Sequence, residues 1–155
     1  MGLGYYFNMY KGMPLVREGG VIIMTHPTQP DFHPVHHPSY IDFFEQVLAD
    51  TTDPKVMSEK WEKQYAEDEW YKHLYRTTYA YHGVHPFYMW YWGSHALQHC
   101  SRIIIVGGDP KTVRRLGFVP ASTMDDALEI ASDVVGRAPT ITHLHAPPLM
   151  VADVS

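Results

Sequence analysis

Apolar residues fall into three kinds of run along this chain. The first kind is unbroken. Val21-Ile22-Ile23-Met24 and Arg102-Ile103-Ile104-Ile105-Val106 place branched apolar residues at successive positions, the pattern of a strand covered on both faces. The second kind recurs every three or four residues. Tyr40 to Leu48 predicts a helix with Ser39 as its N-cap. Asp53-Pro54 opens a further helical region from Lys55 to about Tyr79, with Met57, Trp61 and Tyr65 on one face and Tyr71, Leu74, Tyr75 and Thr78 on another. The acidic Glu67-Asp68-Glu69 between those faces predicts two helices or a kink. The third kind has no clear period: from Pro86 to Trp92 nearly every residue is large, and only Ser94 to His99 predicts a short helix.

Breakers and caps order these runs. Glu18-Gly19-Gly20 is a turn before the first strand, and Pro27, Pro30, Pro34 and Pro38 make Thr28 to Pro38 a long irregular loop at its end. Gly107-Gly108 ends the second strand, Asp109 caps a helix with Pro110 in its first turn, and Phe118 to Ala121 is a short strand. Thr123 and Asp126 cap a helix from Met124 to Val135, and Ile141 to His145 reads as a last strand. Strands alternating with helices over about forty residues require crossover connections and hence a largely parallel sheet. The expected fold is a three-layer α/β domain over residues 1–155, with helices on both faces of the sheet. Ligands of such sheets bind beyond the carboxyl ends of strands, here Thr25 to His37 and Gly107 to Pro110.

Composition narrows the class. A formal charge of -5 offers no basic field for phosphate backbones, so nucleic acid is not expected as a partner. The longest aliphatic run, Ile103 to Val106, is far too short for a bilayer, and no signal-peptide pattern opens the chain. Tyr6 stands where a myristoylation signal needs Ser or Thr, which argues against a lipid anchor. A soluble cytoplasmic protein is expected. The single cysteine, Cys100, allows neither an internal disulfide nor a cysteine-built zinc cage, and is read as a small buried residue.

The 11 histidines are the chemical excess of this chain, and several have metal-like spacing. His33 lies with His36 and His37 in the proline loop, His82 is near His85, His95 and His99 are one helical turn apart, and His143 and His145 would share a strand face. Each pair is equally compatible with hydrogen-bonded histidines beside a polar cleft. The aromatic block, bracketed by Gly83 and Gly93, divides between core and pocket wall, since Trp and Tyr carry polar groups that a dry core would waste. Gly107-Gly108-Asp109-Pro110 could hold an anion on free N–H groups, yet Asp109 would repel it, which favours a plain turn and cap. Asn8 and Lys11, three residues apart, could together grip a carboxylate if the terminus made one helical turn.

The order of these pieces resembles the C-terminal domain of the nickel-pincer lactate racemase family. The resemblance runs through Phe7-Asn8 and Lys11-Gly12, then Arg17-Glu18-Gly19-Gly20-Val21-Ile22-Ile23-Met24, the long loop, a Trp-containing segment before a helix, Ile103 to Val106, and two final crossovers. It implies a racemase or epimerase of 2-hydroxy acids. It further implies a nickel-pincer nucleotide held by an N-terminal domain or subunit that supplies the cofactor lysine, the nickel ligand and the acid/base histidines. Carried over by position, Lys11 matches the family's lysine near the cofactor and substrate, and Asn8 stands where lactate racemases have a glutamine. Trp92, or else Trp90, matches the pocket tryptophan, with His82 and His85 as further lining. The shorter amide at Asn8 and the histidine- and proline-rich loop in place of a glycine-rich one imply a hydroxy acid other than lactate. The alternative reading is a histidine-rich metal-binding or sensing module with ligands among His33, His36, His37, His82, His85, His95 and His99. A third is an interaction domain using the aromatic block as its interface.

Overall fold

The unbroken runs are strands and the periodic ones helices in the computed structural model, which describes residues 13–144. In chain order the elements are β1 (Val21–Thr25); α1, made of Pro38–Asp42, a π-helical turn Phe43–Val47 and Leu48–Asp50; and α2, made of Pro54–Met57, a π-helical turn Ser58–Glu62 and Lys63–Glu67. There follow α3 (Glu69–Thr77), α4 (His85–His99), β2 (Arg102–Val106), α5 (Pro110–Arg115), β3 (Val119–Ala121) and α6 (Met124–Val135). The chain divides into two compact units, one containing residues 30–94 and the other the described residues on either side.

The flanking unit is the α/β one. Its sheet has the order β1-β2-β3 with both pairs parallel, Ile22 facing Ile103 and Val106 facing Ala121 across the ladders. Side chains alternate across a pleated strand, so the run in β2 feeds two cores. Ile103 and Ile105 join Ile22, Ala96, Cys100 and Val113 on one face, while Ile104 and Val106 join Ala121, Ala127 and Ala131 on the other. The last turn of α4 and α5 thus supply one covering layer and α6 the other, the three-layer α/β arrangement expected. Thr123 accepts from the Asp126 amide while Asp126 accepts from that of Thr123, a closed capping box at the start of α6.

The other unit is helical and is carried on the connection between β1 and β2. Val47, Met57 and Phe87 are fully enclosed in it. Phe87 meets Phe43 at 4.8 Å and Tyr65 at 5.0 Å, both nearly edge-on, the favoured geometry for aromatic quadrupoles. The helical region after Pro54 is broken at Asp68, whose carboxylate caps α3 by accepting from the Tyr71 amide at 2.9 Å. The expectation of one domain over 1–155 thus meets a chain whose segment 30–94 has a core of its own.

Three expectations are corrected. The first helix begins at Pro38, and Ser39 lies inside it, fully buried, with no hydrogen-bond partner for its hydroxyl; proline at the first helical position needs no capped N–H. The aromatic block is not irregular but forms most of α4, which starts at His85 rather than Ser94. Large residues on every side of a helix erase the period that would have revealed it. The last strand does not form: residues 141–144 are irregular and Ile141 is exposed, while His145 lies outside the described residues.

Candidate functional site

The proline loop delivers its histidines to one place in the helical unit. The His37 amide donates to the His33 carbonyl at 2.8 Å and the His36 amide to His33 Nδ1 at 3.2 Å, folding the loop into a tight turn. That turn is tied to the segment ahead of α4. The Tyr81 amide donates to the His36 carbonyl at 2.9 Å, and His36 Nδ1 lies 3.0 Å from the Tyr79 carbonyl, which makes it the protonated ring nitrogen. Across this junction the Tyr81 ring is stacked between two imidazoles. His37 is 5.1 Å away at 17° and His85 is 4.3 Å away at 14°. Tyr40 closes the group, its hydroxyl 2.7 Å from His85 Nδ1 and its ring edge-on to His37 at 5.0 Å.

The electrostatics of the group favour neutral rings. Partial burial lowers the pKa of His85, with His37 adding to the effect, and lowers that of His37, with His36 and then His33 adding. Burial, reinforced by Tyr81, pushes the Tyr40 phenol up to about 12. A phenol that keeps its proton beside a neutral imidazole is best placed as the donor to His85 Nδ1, which leaves the His85 proton on Nε2. Such an imidazole can donate to a hydroxyl or carboxylate and exchange a proton near neutral pH.

The other expected site residues are dispersed. Trp90 Nε1 donates to the Thr52 carbonyl at 3.0 Å and its ring packs on Phe43, so its polar group is spent on the helical unit's own backbone. Trp92 stands two positions along α4, roughly 200° around the helix from Trp90, so the two indoles do not form one wall. His82 accepts from the Val84 amide at 3.4 Å and sets its ring edge-on to Tyr75. His95 is exposed, while His99 Nε2 lies 2.8 Å from the Val16 carbonyl. The strand that would have aligned His143 with His145 is not formed over 141–144. Asn8 and Lys11 lie outside the described residues.

Among the described residues no three His, Cys, Asp or Glu side chains are placed to hold a metal ion, so the histidine pairs remain pairs. Cys100 is buried and its thiol pushed up to about 11 by burial, as suits a packing residue. The turn after β2 is a cap rather than an anion cradle. Asp109 accepts from the Thr112 amide at 2.7 Å and from its hydroxyl at 2.6 Å, bonds that hold its carboxyl below the usual range. No described helix is long and apolar enough to cross a membrane.

Reasoning from sequence missed Tyr40 and Tyr81. The available signal was local: Tyr40 is three residues after His37 at a helix start, and Tyr81 is four before His85. Set against protein-family models, curated proteins and solved structures, the chain matches none of them.

Proposed function

We propose that this chain is the C-terminal domain, or a separately encoded subunit, of a racemase- or epimerase-like enzyme acting on a 2-hydroxy acid. The observation that carries the reading is a pairing. The two apolar stretches on which the resemblance rests, Val21–Thr25 and Arg102–Val106, are far apart in sequence yet lie side by side in parallel register, followed by two crossovers. The nickel-pincer nucleotide that such an enzyme uses would supply reversible hydride transfer and would be held by the N-terminal domain or subunit. The described residues offer no metal-donor set of their own, which agrees with that division of labour. On this reading Lys11 clamps the substrate carboxylate electrostatically, Asn8 hydrogen-bonds to it, and Trp92, His82 and His85 line the pocket. His85 is the lining residue whose chemistry is already arranged, a neutral imidazole held by Tyr40.

The test is reconstitution. The chain is added to a nickel-loaded N-terminal domain of the racemase type, and single enantiomers of a panel of 2-hydroxy acids are followed by chiral chromatography. Racemisation that requires the chain and is lost with Lys11→Ala is expected. Activity indifferent to the chain across the panel sinks the proposal.

A further inference from the structure

A second polar site lies in the helical unit and does not depend on the function proposed above. Asp42 and Gln46 from α1, Gln64 and Tyr65 from α2, Asp68 from the break and Tyr71 from α3 line a cleft of about 120 Å³. This is well below the roughly 300 Å³ at which drug-sized pockets begin, so any occupant is small. Two carboxylates face the cleft, and neither has a Lys or Arg partner among the described residues. Asp42 accepts from the Tyr71 hydroxyl through Oδ2 and from Gln46 Nε2 at 3.3 Å through Oδ1. Asp68 spends Oδ1 on the Tyr71 amide, and its Oδ2 has no partner among the described residues.

The independent observation is Tyr65. Its side chain is 3% exposed, and its hydroxyl is buried without any hydrogen-bond partner. Leaving such a group unmet costs about 1–3 kcal/mol, and a native fold keeps one mainly where something else satisfies it. Burial and the nearby Asp42 and Asp68 push its phenol well above the ordinary tyrosine range, so the hydroxyl keeps its proton and its oxygen is free to accept. The Tyr65 and Tyr71 rings, 5.6 Å apart and nearly parallel, form an aromatic wall.

We propose that this cleft binds a small primary ammonium, its N–H groups shared between Tyr65 Oη and the Asp68 carboxylate, with Asp42 adding charge and the tyrosine rings a cation–π surface. A divalent metal fits less well, because the described residues place no three metal-donor side chains together. Size, net negative lining and an orphan acceptor all select the same ligand class.

Methylammonium chloride is the probe, titrated calorimetrically into the full chain, with sodium chloride and tetramethylammonium chloride at equal ionic strength as controls. Saturable binding of methylammonium and a rise in Tm are expected, with neither from tetramethylammonium, which has no N–H. Tyr65→Phe weakens binding by about tenfold or more, while its Tm in sodium chloride stays level or rises because an unmet hydroxyl is gone. Asp68→Asn, which keeps the helix cap, also weakens binding. The proposal is overturned if methylammonium acts no differently from sodium, or if Tyr65→Phe binds it as well as the parent. A lower Tm for Tyr65→Phe without any methylammonium effect likewise overturns it and assigns the hydroxyl to a bound water. None of these readouts needs the partner domain or turnover, so they separate this site from the racemase reading.

Discussion

The Tyr40 hydroxyl and His85 Nδ1 meet at 2.7 Å, joining the first turn of α1 to the first residue of α4 across 45 positions of sequence. The bond works only while the imidazole has a lone pair on Nδ1. His37 and His85 both have lowered pKa values in the folded protein, so the unfolded chain binds protons more readily than the folded one. Their contribution is intact above the ordinary histidine value of about 6.5 and is lost as pH falls from there through the folded values. The titratable groups around the two rings are His33, His36, Tyr40 and Tyr81. Chemical denaturation at about pH 7.5 and about pH 5 is expected to show lower stability in acid. The double variant His37→Phe, His85→Phe flattens that dependence. An equal acid loss in the double variant would place the titration elsewhere.

Trp90 distinguishes a structural indole from a substrate-facing one. Its N–H is engaged by the Thr52 carbonyl and its ring by Phe43. Trp90→Phe keeps most of the ring contact and leaves that carbonyl unpaired, at a cost of about 1 kcal/mol. The loss is expected in a denaturant midpoint, with KM in the reconstituted enzyme unchanged. Trp92→Phe, on the opposite side of α4, is expected to raise KM if the pocket assignment is right.

The sheet was legible in the sequence because its burial is nearly complete. Ile103, Ile104, Ile105 and Val106 are all buried, and no other local arrangement uses a four-residue branched run so fully. Caps were legible for a similar reason: Asp53, Asp109 and Thr123 each bond an amide two or three residues ahead. What escaped depends on distance. Tyr81 stacks on His37 from across 44 positions and Asp42 reaches Tyr71 across 29, and neither relation leaves a periodicity. The helix α4 escaped because a helix enclosed on several sides has no polar stripe to betray it.

Ile104 measures how far the α/β unit depends on its second core. It is fully buried beside Ala127 and Ala131 of α6. Ile104→Ala deletes three carbons where small neighbours cannot fill the gap, and about 2–5 kcal/mol of stability should go. Ile104→Val is expected to cost less, about 0.5–1.5 kcal/mol. Hydrogen exchange of the β2 amides would rise in Ile104→Ala. Unchanged protection would show that α6 is not held by this contact.

The two glycines after β2 are required for different reasons, and paired substitutions separate them. Gly107 has φ 78°, and a Cβ there would meet nothing within 4 Å. Its restriction is conformational, so Gly107→Ala should cost about 1–2 kcal/mol and Gly107→Asn less, since asparagine tolerates that region. At Gly108 a Cβ would come within 2.7 Å of Val113 Cγ2 and 2.9 Å of Ile105 Cγ2, side chains held in the core. Gly108→Ala should cost about 1–3 kcal/mol by overpacking, and Gly108→Asn should be worse rather than better. Removing one obstacle tests the steric account directly: Gly108→Ala combined with Val113→Ala should lose less than the sum of the two single losses, because the new methyl enters space the valine has left. Strict additivity would mean the strain at Gly108 is taken up by the His26 carbonyl, 3.2 Å from the same Cβ, and therefore by the β1 end of the turn rather than by α5.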